Sequence, residues 1–100
     1  MQTTKLKLVT IIAEAILEDR LLKALGQLGA RGYTVDAVHG KGSRGIRGID
    51  MGGQNIRVET IVGPEVAERI MAHVAQHYFA DYAVIVYCVE AEVLRSAKYL

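Results

Sequence analysis

From Lys5 the chain alternates cation and leucine through Lys5, Leu6, Lys7 and Leu8, and then turns apolar in both phases at Val9, Ile11 and Ile12. That is the pattern of a strand that enters a core from a wet end. From about Ala15 to Leu28 the period changes. Leu17, Leu21, Leu25 and Leu28 recur at helical spacing, with Glu18, Asp19, Arg20, Lys23 and Gln27 between them, which predicts an amphipathic helix. Gly29 is suited to stop it. Tyr33, Val35 and Ala37 alternate with Thr34 and Asp36 in a second predicted strand. A third covers Ile56 to Val62, with Ile56 and Val58 facing opposite to Arg57 and Glu59. Gly63-Pro64 opens a second helix with proline at the first helical position and Glu65 and Glu68 near the positive end of the dipole. Its apolar stripe is Val66, Ile70, Val74 and Tyr78, and a last strand, Tyr82 to Val89, is apolar on both faces.

The predicted order is βαββαβ, and the two halves match: strand, helix and strand from Lys5 to Val38 recur from Ile56 to Val89. Two interleaved right-handed βαβ units give an α+β, ferredoxin-like fold, a four-stranded antiparallel sheet with both helices on one face. The other face has no predicted cover. Leaving several Ile and Val side chains in water there would cost on the order of several kcal/mol at about 25 cal/mol per Å². A homo-oligomer packed sheet against sheet is therefore expected, and a cyclic homotrimer is favoured.

Between the second and third strands lies GKGSRGIRGIDMGGQN, residues 40–55. Hairpins need two to five residues, so a connection this long is functional or unstructured. Glycines at Gly40 and Gly42 let backbone amides approach an anion, Lys41, Arg44 and Arg47 supply charge, and Ser43 supplies a hydroxyl. Arginine grips phosphate or carboxylate with two parallel hydrogen bonds. The order of residues is not that of a P-loop, and a solvated hairpin explains the composition equally well.

The remaining composition narrows the classes. One hundred residues make a single domain, residues 1–100, and 51% apolar content again favours subunit burial. A formal net charge of +1 argues against a strongly basic nucleic-acid binder. The central strands, one and three, carry no aromatic on which bases would stack, which argues against single-stranded RNA. Cys88 is the single cysteine, so neither an intramolecular disulfide nor a cysteine-rich zinc site is expected, and the thiol is read as core. Glu14 interrupts the apolar run after Lys5 and Lys7 before a signal-peptide core forms, and no run approaches the ~18 apolar residues of a membrane span. A soluble, cytoplasmic protein is expected.

Taken together, Gly29 to Val35, the Gly40-Lys41-Gly42-Ser43-Arg44 run with Arg47, Ile56-Arg57-Val58-Glu59, and Tyr78 to Ala83 resemble PII-like signalling proteins over nearly the whole chain. The similarity is greatest to the branch associated with bicarbonate uptake and carboxysomes. The resemblance implies a non-enzymatic homotrimer that binds adenine nucleotides, AMP or ADP and in some members ATP or cyclic AMP, in clefts between subunits. Bicarbonate is a further ligand it implies. The long hairpin, about residues 40–55, corresponds to the family's T-loop, which presents a surface to a target such as a membrane transporter or a carboxysome-related protein. Gly40, Lys41, Gly42, Ser43, Arg44 and Arg47 match the phosphate or bicarbonate positions, and Tyr87 is assigned to the base pocket. His39, Arg57 and Arg95 are secondary candidates.

Two departures restrict what carries over. The chain has no modifiable tyrosine in the loop and no TGxxGDGK-type segment, which argues against uridylylation and classical 2-oxoglutarate sensing. It also lacks a second cysteine, so a redox-switched tail is not expected. The alternative class is a small phosphatase or nucleotide hydrolase on the same fold, but no nucleophile has an adjacent base and Asp50 stands alone in the loop. His73 and His77 have a metal-binding spacing with no third ligand nearby, and are read as a solvated helix face. Arg57 and Glu59 are read as an ion pair or a pocket wall. Arg95 and Lys98 would reach a neighbour's phosphate or belong to a loose tail.

Overall fold

A computed structural model describes residues 1–41 and 54–100. In it β1 (Thr4–Glu14) runs through a single 3-10 turn (Ala15–Leu17) into α1 (Glu18–Leu28), followed by β2 (Thr34–Val38), β3 (Asn55–Val62), α2 (Pro64–Tyr78), β4 (Val84–Val93) and a second 3-10 turn (Ser96–Lys98). The four strands form one sheet in the order β2-β3-β1-β4, every neighbour antiparallel. This is the expected ferredoxin-like arrangement, with β1 and β3 central.

The core lies between one sheet face and the helices. Val9, Ile11 and Ala13 of β1, Ile56, Val58 and Val62 of β3, Leu21 and Leu25 of α1, and Ala67, Ile70 and Val74 of α2 form a single buried cluster. Ala67 takes the buried place in α2 that the helical stripe assigns to Val66, which is only half-buried. Gly29 ends α1 at φ 114°, a left-handed conformation that glycine adopts without steric cost. Thr60 Oγ1 then donates to the Gly32 carbonyl at 2.6 Å, which ties the α1–β2 connection to β3.

β4 starts two residues later than its apolar run and ends four residues beyond it. At the start, the amides of Asp81 and Tyr82 still bond to the Tyr78 carbonyl, prolonging the end of α2. There the buried carboxylate of Glu14 accepts the Ala83 N–H at 2.6 Å. At the far end Glu90 and Glu92 continue the strand, because they stand opposite Lys7 and Lys5 in register and Glu90 approaches Lys5 Nζ at 3.9 Å.

The second sheet face is laid out in rows. Thr34, Glu59, Thr10 and Tyr87 are successive partners across the four strands, and Asp36, Arg57, Ile12 and Ile85 form the next row. On β4 this face exposes Ile85, Tyr87 and Val89, at 54, 46 and 50% of their surface. The expectation of a wholly bare face needs correcting. The chain beyond β4 folds back so that Lys98 and Tyr99 sit beside Leu8 and Ile61, and Leu6 and Val93 are buried.

Candidate functional site

The fold-back creates a cleft of about 360 Å³, within the usual size range for small-molecule sites. Three pieces of chain build it. The α1–β2 connection contributes Arg31, Gly32 and Tyr33. The open face contributes Leu8, Thr34, Glu59 and Ile61. The C-terminal segment contributes Lys98 and Tyr99. Strand alternation explains the placement: Glu59 and Ile61 are two apart on β3, so both point away from the helices, as do Thr34 on β2 and Leu8 on β1.

The chemistry of the cleft is mixed. Leu8, Ile61 and the ring faces of Tyr33 and Tyr99 offer apolar surface for a flat ring. Glu59 and Thr34, partners across β2 and β3, offer an acceptor carboxylate and a hydroxyl. Arg31 and Lys98 place cationic groups on the same rim. Arg31 Nη1 donates to the Leu100 carbonyl at 2.6 Å, which holds the segment carrying Lys98 and Tyr99 in position. The 3-10 turn supports it, with the Lys98 amide bonded to the Arg95 carbonyl and the Leu100 amide to the Ser96 carbonyl.

The candidates read from the sequence are distributed unevenly around this cleft. His39, Gly40 and Lys41 follow β2 and are exposed. Gly42, Ser43, Arg44 and Arg47 lie outside the described residues. The described base of the connection is at the Val38 and Asn55 end of the sheet, while the cleft is at the Thr34 end of β2. Four residues at about 3.3 Å per residue separate the two ends by about 13 Å. One chain therefore does not put its own loop base at its own cleft.

The other candidates lie off this cleft. Tyr87 stands in the middle of β4. It is two strands away from Glu59 in their shared row and does not line the cleft. Arg57 is committed across the sheet to Asp36, with Nε to Oδ1 at 3.2 Å and Nη2 to Oδ2 at 2.9 Å. That hydrogen-bonded ion pair raises the guanidinium pKa. The partner of Arg57 is thus Asp36, not Glu59, and Glu59 is the pocket wall. Arg95 does not line the cleft, although Lys98 does. Cys88 is half-buried and packs against the core cluster.

Sequence patterning offered Glu59 as a pocket wall and overlooked Arg31, Tyr33, Thr34 and Ile61. Thr34 and Glu59 both occupy polar phases of their strands, but their pairing across β2 and β3 leaves no signal in local spacing. Among the described residues no three His, Cys, Asp or Glu side chains gather as a metal site, and no helix is long and apolar enough to cross a membrane.

Comparison with known proteins identifies the family and the fold. Residues 6–98 match the family model described as nitrogen regulatory protein P-II. The fold superposes on a candidate PII-like signalling protein from Thermus thermophilus with a TM-score of 0.86 and 52% identity, each chain covered in full. CPII from Thiomonas intermedia, in a structure bound to ADP and bicarbonate, gives a TM-score of 0.86 at 26% identity over 99% of this chain and 98% of that one. GlnK from B. subtilis, in complex with ATP, shares the fold at a TM-score of 0.58 and 16% identity over 89% and 85% of the two chains.

Proposed function

Since the chain belongs to the P-II family of nitrogen regulatory proteins, we propose that it is a PII-like regulator that binds an adenine nucleotide in the cleft beside Glu59 and signals the occupancy through its T-loop. The observation that carries this reading is the cleft itself, where apolar walls sized for a ring meet a carboxylate, a hydroxyl and two cations. CPII, the relative bound to ADP and bicarbonate, makes the same ligands the first to try here. Trimers are typical of the family. In a trimer built through the open sheet face, Ile85, Tyr87 and Val89 become buried, and the cleft of one subunit lies within reach of a neighbour's loop.

In this arrangement Leu8, Tyr33 and Ile61 sandwich the base, and Glu59 and Thr34 read its polar edge. Lys41, Ser43, Arg44 and Arg47 of the neighbouring subunit, with Gly40 and Gly42 clearing the approach, hold phosphate or bicarbonate. Lys98 lies on the same rim, and His39 and Arg95 are the further candidates for ligand contact across the subunit boundary. A glycine-rich loop loses conformational entropy when it closes on a ligand, and charge-assisted bonds from arginine offset that loss. Ligands that differ in phosphate count then select different loop populations through their differential affinity. The target of the loop is a bicarbonate transporter or another carbon-metabolism protein, which would place this cytoplasmic, single-domain chain in the bicarbonate-associated branch.

Calorimetry with AMP, ADP, ATP and cyclic AMP, with and without bicarbonate, tests the proposal together with light scattering. The expected outcome is a trimer that binds at least one of these nucleotides at micromolar concentration. A clean monomer, or no binding at millimolar nucleotide, overturns it.

A further inference from the structure

The outer layer of α2 holds a second arrangement that contributes nothing to the cleft. His73 and His77 stand one helical turn apart with their rings stacked, centroids 4.1 Å apart and planes inclined by 26°. His77 Nδ1 lies 3.0 Å from the His73 carbonyl oxygen. A carbonyl only accepts, so this contact puts the proton on Nδ1 and leaves the Nε2 lone pair of His77 free. A ligating histidine characteristically has its second ring nitrogen engaged in this way, because the hydrogen bond sets the tautomer and raises the basicity of the donor nitrogen.

His73 touches the core on one side. Its ring packs edge-on to Tyr78 at 6.0 Å between centroids, and Tyr78 is buried in the core. With the His77 contact kept, rotation of the His73 ring alone about χ2, a broad torsion in histidine, turns the stacked pair into a chelate.

We propose that His73 and His77 form a two-imidazole chelate for a divalent late transition ion, of the class of Ni²⁺, Cu²⁺ or Zn²⁺, on the exposed side of α2. Two neutral nitrogens and no carboxylate select these ions over Mg²⁺ and Ca²⁺, which prefer oxygen. The protein supplies two positions and leaves the others to water or to a group from a partner molecule. The site is independent of the nucleotide reading, since no residue of α2 lines the cleft.

Ni²⁺ is the probe, because it does not oxidise Cys88. Titration of the intact protein by calorimetry is expected to show one Ni²⁺ per chain and no response to Mg²⁺. His73→Ala and His77→Ala are each expected to weaken Ni²⁺ binding at least about tenfold, as happens when an intramolecular second contact is lost. Circular dichroism confirms that each variant keeps its helices. Imidazole ¹⁵N spectra with Zn²⁺, which is diamagnetic, are expected to show shifts at Nε2 of His77 and leave its Nδ1 protonated. Ni²⁺ affinity unchanged in either variant overturns the chelate, and so does wild-type binding no tighter than that of the single-histidine variants.

Discussion

Arg31 Nη1 donates to the main-chain carbonyl of Leu100 at 2.6 Å, joining the turn after α1 to a residue 69 positions away. This contact fastens the C-terminal segment across the cleft. Arg31→Ala is therefore expected to raise amide hydrogen exchange in residues 96–100 by about tenfold or more, because local opening then breaks one fewer charge-assisted bond. Unchanged protection would mean that other contacts, such as Leu100 against Gly63, hold the segment alone.

The distance between cleft and loop base within one chain makes a complementation test possible. Glu59→Ala removes an acceptor from the cleft, and Arg47→Ala removes the phosphate ligand proposed on the loop. Each alone is expected to weaken ADP binding about tenfold or more, the order of one charged hydrogen bond. Co-expressing the two variants should restore tight binding at those interfaces that pair an intact cleft with an intact neighbouring loop. Calorimetry of the mixed trimers that shows no tight sites would place both residues on the same chain's site, or neither on it.

Ile85 exposes 54% of its surface in the isolated chain, on the open face of the edge strand β4 beside its row partner Ile12. Ile85→Asp puts a charge where sheet-on-sheet packing requires apolar contact, and a buried unpaired carboxylate is costly. Light scattering is expected to show a shift from trimer towards monomer, with ADP binding lost in parallel.

Acid stability should carry a signature of His73. Its native pKa is depressed by burial, and then by His77, so the unfolded chain takes up a proton near the ordinary value of about 6.5 while the native state still excludes it. Stability accordingly falls as pH drops from 7 through that value and levels off below the native pKa. His73→Gln is expected to flatten the fall in Tm between pH 7 and 5.5 relative to the wild type.

At Gly29, φ is 114°, and an added Cβ would lie 3.3 Å from a methyl of Val66. Gly29→Ala is expected to destabilise the fold by about 1–2 kcal/mol from the left-handed backbone, with a small further cost if Val66 has to move. Urea denaturation with an unchanged m-value would locate the effect in stability rather than compactness.

Much of the fold was legible in the chain because local periodicity carries it. The leucines of α1 and the alternation in β3 each imply one buried side, and Pro64 and Gly29 mark helix limits through their own backbone restrictions. Boundaries failed where the deciding contact was distant. Glu90 and Glu92 read as the end of a strand until Lys5 and Lys7 are seen opposite them. Val66 and Ala67 compete for the same core position, and only the packing of α2 on the sheet chooses the smaller. Of the cleft, the sequence reading had named only Glu59, as one of two options, and Lys98.

By itself the sequence determined the element types, the two interleaved halves, the apolar excess that calls for a partner and the family resemblance, all of which follow from near-neighbour spacing and composition. The cleft was decided by tertiary structure alone. Arg31, Glu59 and Lys98 are separated by tens of residues and share no local pattern. They meet because β3 sits beside β1, which turns Glu59 and Leu8 to the same face, and because the Arg31 bond to Leu100 returns the C-terminal segment to that face. Side-chain alternation along a strand can be read from a sequence, but which distant strand lies alongside depends on the free energy of the packed whole.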